Sequence, residues 1–231
     1  MSQKIVWRDK MEKVAKKYEF TDETLIVGDR TLHRIRAIMD FGNVKVGKLG
    51  GWIEKESNLS HEGNCWVYDE ARVYGNAKVY GNAKVDGRAK VYDNAQVYGR
   101  AKVRDSAEVF DFARIYDRAE VYERARIYDY AEIYGEALVY GDAKVFSHAN
   151  IHDNAAVFDD AEVHGCANVY GHAWVYGFAK MRGFSRAYDY AEICGNATLY
   201  NFARIYESAK IYGDAVINGY TEIFGNKSIS Q

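Results

Sequence analysis

Proline is absent from all 231 residues, so Gly, Asn and Asp must make every turn of this chain. Cysteine is scarce. Cys65, Cys166 and Cys194 are an odd set, too few for a disulfide framework, and they fit a reducing, cytoplasmic setting. Neither sign of charge prevails, because 31 basic residues meet 33 acidic ones. That balance excludes a partner held mainly by bulk charge, such as duplex DNA or an anionic membrane. No apolar run approaches the length of a membrane span. The opening residues, MSQKIVWRDKMEK, are charged and lack an apolar centre, so no signal peptide is expected. Only Thr198 and Thr221 lie among the repeats, which excludes the threonine ranks of an ice-binding face. No glycine-rich phosphate loop occurs, since the glycines are spaced corners and open no helix.

What is present is a repeat. From Val67 to Ile223 an aliphatic residue returns every sixth position, and the lapses are Met181 and Ala187. Two residues before each aliphatic stands alanine from Ala71 to Ala215, with Ser185 the exception. Two residues after it, Gly or Asp predominates, as at Gly75, Gly81 and Asp93. Ala-x-Val places two side chains on one face at period two, which is the pattern of a strand. Gly, Asp and Asn tolerate the left-handed backbone that a tight corner needs. A short strand and a corner, repeated without insertion, wind into a solenoid whose coils stack about 4.8 Å apart.

The aromatic residues choose the number of sides. Just before the small residue stand Phe112, Tyr130, Phe178, Phe184, Tyr190, Phe202 and Tyr220. Five of these share one phase of an 18-residue period, whereas a 12-residue period splits them four to three. The expectation is therefore three hexapeptides per coil and about nine coils. Met181 to Ala187, with Phe184 and Ser185 between them, is where a local bend is expected.

Units such as Val-Tyr-Gly-Asn-Ala-Lys resemble the hexapeptide repeat of left-handed β-helices, departing from it in the frequent tyrosine at the second position. The segment around Leu49-Gly50-Gly51-Trp52-Ile53-Glu54 resembles the leader of YdcK-like β-helix proteins. That resemblance implies a single-stranded left-handed parallel β-helix behind a hairpin-bearing cap, and no settled activity. The left hand is taken from the resemblance, against the usual right-handed crossover. The organisation expected is a cap over 1–48, an irregular first coil over 49–66 and a hexapeptide β-helix over 67–231. Within the α/β cap, residues 4–18 are expected to form a short helix. Thr24–Val27 and Arg34–Ile38 are expected to form a hairpin around Gly28-Asp29. The step from Leu59 to Val67 is eight, so two residues should bulge there. Beyond Ile223 only a short tail remains, which should leave the last coil uncovered.

The residues just after each aliphatic should point outward and stack into three ladders. One ladder is aromatic on every coil: Tyr80, Tyr98, Tyr116, Tyr134, His152, Tyr170, Tyr188, Tyr206 and Phe224. Stacked rings stabilise a sheet, so such a row is a stability device first. A continuous aromatic strip also suits an interface, since tyrosine brings apolar area at low entropic cost. One corner is more selective. Phe112, Tyr130, His148, Cys166, Phe184, Phe202 and Tyr220 line a single edge, while the other corners are mostly polar. With Phe224, the aromatics of this edge are the candidates for self-association and partner docking. Trp7, Arg34, Arg36 and Trp52 are candidates for a second docking surface on the cap. His148, His164 and Cys166 are a weak candidate for zinc or a Cys–His dyad, with no CxxC and no carboxylate completing the set.

The reading is a rigid, non-enzymatic scaffold without a cofactor. It binds a protein partner rather than nucleic acid or membrane, and forms a dimer through its C-terminal coils. A hexapeptide-type acyltransferase using a histidine of the 148–172 cluster is the alternative. It lacks a projecting loop to wall off a substrate. An accessory protein that modulates a larger effector, such as a phage-defence nuclease, is a further alternative.

Overall fold

The structure is a computed structural model that describes residues 14–230. Most of the expected helix over 4–18, Trp7 included, lies outside the described residues. Of its remainder, residues 14–17 carry no regular structure and Tyr18 opens a strand, so the described part holds no helix there.

Strand β1 (Tyr18–Val27) turns at Gly28, φ +62°, into β2 (Arg30–Ala37). This hairpin is longer than the sequence suggests, and a bulge between Phe20 and Thr24 breaks its register. β2 pairs antiparallel with β3 (Leu49–Ile53), and β3 pairs parallel with Arg72–Val73. The hairpin is therefore an extension of one solenoid face. It occupies the edge that β3 would otherwise leave unpaired.

From there the chain is an all-β solenoid with three parallel sheets as its faces. Each strand pairs with the strand one 18-residue coil away: Val73 with Val91, Val79 with Val97, Val85 with Val103. The third face has ten strands, so the rod has ten layers. Nine follow the regular repeat. The extra one is the irregular coil of β3, Leu59 and Trp66–Val67. The last layer differs from expectation. The tail does not hang free, because Ser228–Ser230 pairs with Lys210–Tyr212 and Ile229 sits over Ile211. Ile229 is six residues beyond Ile223, so the hexad continues into the tail.

The alanine and aliphatic ranks are fully buried from Ala71 to Ile211. Alanine fits where two faces converge, and the β-branched side chain fills the middle of each face. The expected bend at Met181 to Ala187 is absent. Asn168, Arg186 and Arg204 pair in unbroken register through it. Met181 and Ala187 share one layer and both are fully buried, so the longer side chain offsets the shorter one.

The corners divide into two kinds. Glycine holds about half of them at a φ of +63° to +75°, as at Gly141, where an added Cβ would lie 2.7 Å from the Asp159 amide nitrogen. Elsewhere Asp, Glu, Ser or Asn holds the left-handed corner at φ +50° to +59°. Several of those acids use their carboxylates as well. Asp129 Oδ2 accepts the Ser147 amide at 3.1 Å, and Asp153 Oδ2 accepts the Gly171 amide at 3.2 Å. A corner aspartate thus satisfies the corner amide one coil further on.

The bulge between Leu59 and Val67 has a filling that the sequence pattern does not announce. The Lys17 side chain enters it and is almost wholly buried. Its ammonium donates to the carbonyls of Cys65 at 2.9 Å, Gly63 at 3.1 Å and Glu62 at 3.4 Å. It also lies 3.3 Å from Cys65 Sγ and 4.8 Å from the Phe41 ring centre. Burial holds the Lys17 ammonium below the usual lysine value, and the facing Cys65 partly offsets this. Burial likewise pushes the Cys65 thiol up, against the pull of Lys17.

A candidate interaction surface

The outward residues after each aliphatic form the three expected ladders. In the unbroken one, nine rings from Tyr80 to Phe224 stack with centroids 4.8–5.2 Å apart. Interplanar angles are mostly 3–8°, so each ring lies flat against the next. Lys227 covers the last ring, 4.7 Å above Phe224. The consequence is chemical. Within the ladder both faces of each ring are occupied, and only edges meet solvent. A sugar or a nucleobase seeking a ring face finds none inside this row. The hydroxyls are also engaged in places: Tyr116 donates to Glu132 at 3.1 Å, and Tyr80 to Gln96 at 3.3 Å. Two breaks in the other ladders are filled by guanidinium groups, Arg104 over Tyr122 and Arg182 over Tyr200, each at 5.1 Å.

The corner row is different in exposure. Phe112 is 48% exposed, Tyr130 53%, Phe184 53%, Phe202 40% and Tyr220 81%. It consists of two stacks. Phe112, Tyr130 and His148 form one, with steps of 5.0 and 5.1 Å. Phe184, Phe202 and Tyr220 form the other, with steps of 5.2 and 4.8 Å. Exposed Cys166 stands between them. Phe202, sandwiched by two rings, is less exposed than its neighbours Phe184 and Tyr220. Phe224 belongs to the neighbouring ladder and closes it, rather than joining this row.

The structure does not assemble the weak metal candidate. His164 stacks on Phe146 at 4.6 Å in a ladder on the adjoining face, while His148 stacks on Tyr130 in the corner row. Among the described residues no group of three His, Cys, Asp or Glu side chains is placed to hold a metal ion. Burial lowers the His164 pKa, with Arg182 and Lys180 adding to the effect and Glu162 opposing it. All six histidines lie against an aromatic ring, including His61 on Tyr18 at 4.3 Å and His172 on Tyr190 at 5.1 Å. They occupy ring positions of a stacked surface.

The cap candidates are corrected too. Trp52 is buried and its Nε1 donates to Glu70 at 2.9 Å. Arg34 packs over Trp52 at 5.0 Å and pairs with Glu70 at 3.0 Å. Both join the hairpin to the first coils and offer little to a partner. Arg36 is more exposed and pairs with Glu19.

An apolar cluster on the third face escaped the period-six reading. Trp174 is 49% exposed and meets Phe158 edge-on at 6.4 Å, with Phe178 60% exposed at the next corner. The string His172-Ala-Trp174-Val-Tyr176-Gly-Phe178 was the available signal. Concavities are shallow. One open groove of about 580 Å³ runs past Asn64, Tyr68, Lys84, Arg100 and Lys102, with no histidine in its wall.

Fold and surface together define a β-solenoid built on a hexapeptide repeat, with aromatic ladders and one exposed aromatic edge. Over 39 residues, 17% of this chain, it is 54% identical to a protein described as the uncharacterized acetyltransferase YdcK of Escherichia coli (strain K12). The match spans 12% of that protein's length. No family model matches the chain.

Proposed function

We propose that this protein is a rigid, non-enzymatic scaffold. It self-associates through the aromatic corner of its C-terminal half and docks a larger protein, acting in a reducing compartment without a cofactor. The observation that carries the reading is the concentration of exposed rings on one corner. Phe112, Tyr130, Phe184, Phe202 and Tyr220 share it, continuing a row that begins with Asn76 and Asn94, while Asn82, Arg100, Arg118, Arg124 and Asp142 are typical residues of the other two corners. Ring stacking alone gives no reason to favour one edge, whereas an interface does. The acyltransferase reading is favoured by the short similarity to a protein carrying that name. Against it stand the open grooves, which wall off no substrate, and the stacking of His148, His152, His164 and His172 on aromatic rings.

The test is sedimentation of the full chain at micromolar concentration beside Phe184→Ser/Phe202→Ser, with circular dichroism to verify the fold. The native chain should sediment as a dimer and the variant as a folded monomer. A folded variant that assembles as well as the native chain removes the corner from the proposal. Calorimetric binding of acetyl-coenzyme A would instead support the enzyme.

A further inference from the structure

The corner row has a symmetry that its composition alone does not explain. Reading from the N-terminal side it runs Phe112, Tyr130, His148, Cys166, Phe184, Phe202, Tyr220: three rings, a thiol, three rings. We propose that a second copy of this chain docks antiparallel on this edge, about a twofold axis at Cys166. The inference rests on the self-association reading above and specifies its geometry. With that axis perpendicular to the rod and lying in the interface, Phe112 meets the partner's Tyr220, Tyr130 meets the partner's Phe202, and His148 meets the partner's Phe184. Such an interface is isologous, each contact occurring twice.

The charges flanking the row decide between this arrangement and others. Beside it, two residues after each corner position and at the start of each strand, run Arg114, Glu132, Asn150, Asn168, Arg186, Arg204 and Glu222. The antiparallel axis keeps this strip on the same side of both copies and reverses its order. Arg114 then faces the partner's Glu222, and Glu132 faces the partner's Arg204. Arg186 faces the partner's Asn150, and Asn168 faces itself. No like charges meet. The in-chain pairs Arg114–Glu132 at 2.9 Å and Arg204–Glu222 at 3.0 Å become two four-charge clusters of alternating sign. The strip on the other side agrees. Asp111 and Asp129 face the partner's Gly219 and Asn201, again without a like-charge contact. A parallel pair would lay the first strip against the second and lose this matching.

The available area is sufficient. A half-exposed aromatic side chain leaves on the order of 100 Å² open, so six rings offer roughly 1,200 Å² across two copies. That is about the lower bound of specific interfaces, before the long arginine and glutamate side chains are counted.

The experiment exchanges charges between copies of the full chain. Glu132→Arg places Arg opposite the partner's Arg204, and Arg204→Glu places Glu opposite the partner's Glu132. Each variant alone should dimerise at least tenfold more weakly than the native chain, because both of its symmetric contacts become repulsive. An equimolar mixture should recover the loss as a heterodimer, because both contacts are then complementary, while in-chain effects are unchanged by mixing. Native mass spectrometry with one variant isotopically labelled reads this directly. Alongside, diamide treatment of the native dimer should join the two Cys166 thiols. Each thiol loses a proton and the electron pair passes to the diamide N=N bond. A native dimer whose variants show no preference for the mixture, or whose Cys166 stays reduced under diamide, overturns the antiparallel axis and leaves the scaffold reading standing. A folded native chain that remains monomeric overturns both.

Discussion

Lys17 shows how one side chain can secure an irregular step in an otherwise periodic rod. The two extra residues between Leu59 and Val67 turn backbone carbonyls inward, away from any strand partner. A lysine supplies three donors on a flexible stem, and here they meet the carbonyls of Glu62, Gly63 and Cys65. Removing the ammonium would leave the buried Cys65 carbonyl unsatisfied and an apolar chain end against the carbonyls of Glu62 and Gly63. Lys17→Met, close in length and apolar, should therefore destabilise the first coils by about 2–3 kcal/mol. Urea unfolding followed through Trp66 fluorescence checks this, since Trp66 is fully buried beside the same bulge. Unchanged unfolding would mean the bulge is held by other contacts, such as Asn58 Nδ2 to the Ala77 carbonyl at 2.9 Å. Nothing in the hexad pattern points to Lys17, because it lies 48 residues from Cys65, in a stretch with no repeat.

The ladder is the next scale up, and its tyrosines titrate together with stability. Burial raises the pKa of Tyr80, Tyr98, Tyr134, Tyr170 and Tyr188, and of Tyr116, where the Glu132 carboxylate adds to the effect. The folded state therefore holds these protons when the unfolded chain releases them. The stability they contribute is complete below the ordinary tyrosine value of about 10 and is lost as pH rises toward the folded values. The solenoid should accordingly lose stability steeply above about pH 10. Tyr134→Phe with Tyr170→Phe removes two of the titrating groups while keeping their rings. Chemical denaturation between neutral pH and pH 11 should show a shallower loss for the double variant. Parallel profiles would place the alkaline sensitivity elsewhere. The row itself was legible from the sequence, because alternation sends every residue after an aliphatic outward. Its ring orientation was not. Flat stacking follows from the spacing of coils in a sheet, which brings rings to 4.8–5.2 Å and covers the faces that a stacking ligand would use.

As a whole the molecule is quasi-one-dimensional, so each coil answers mainly to its neighbours. The tail illustrates this. Ser228–Ser230 pairs with Lys210–Tyr212, and the Lys210 amide donates to the Lys227 carbonyl at 2.8 Å. Ending the chain after Phe224 should speed hydrogen exchange at Lys210 by about tenfold or more, the loss of one such bond and its cover. Lys102, whose amide donates to Ala119 at 2.9 Å in the middle of the rod, should be unaffected. Equal acceleration at both amides would contradict the nearest-neighbour picture. At that end the core ranks are slightly less buried, with Ile217 8% and Ile223 5% exposed. The proposed antiparallel dimer does not seal that end. It joins flanks, so the terminal coils stay available to a further partner.

By itself the sequence determined the period, the three faces, the buried ranks and the corners. An unbroken spacing of six leaves one consistent register, and strand alternation then assigns each side chain to core or solvent. The tertiary structure alone decided three things. Lys17 plugs the bulge, Arg34 and Trp52 are used within the junction, and Met181 offsets Ala187 without a bend. The physical reason is common to them. Each depends on which remote groups meet across coils and what space remains between them, and a one-dimensional period carries no information about either.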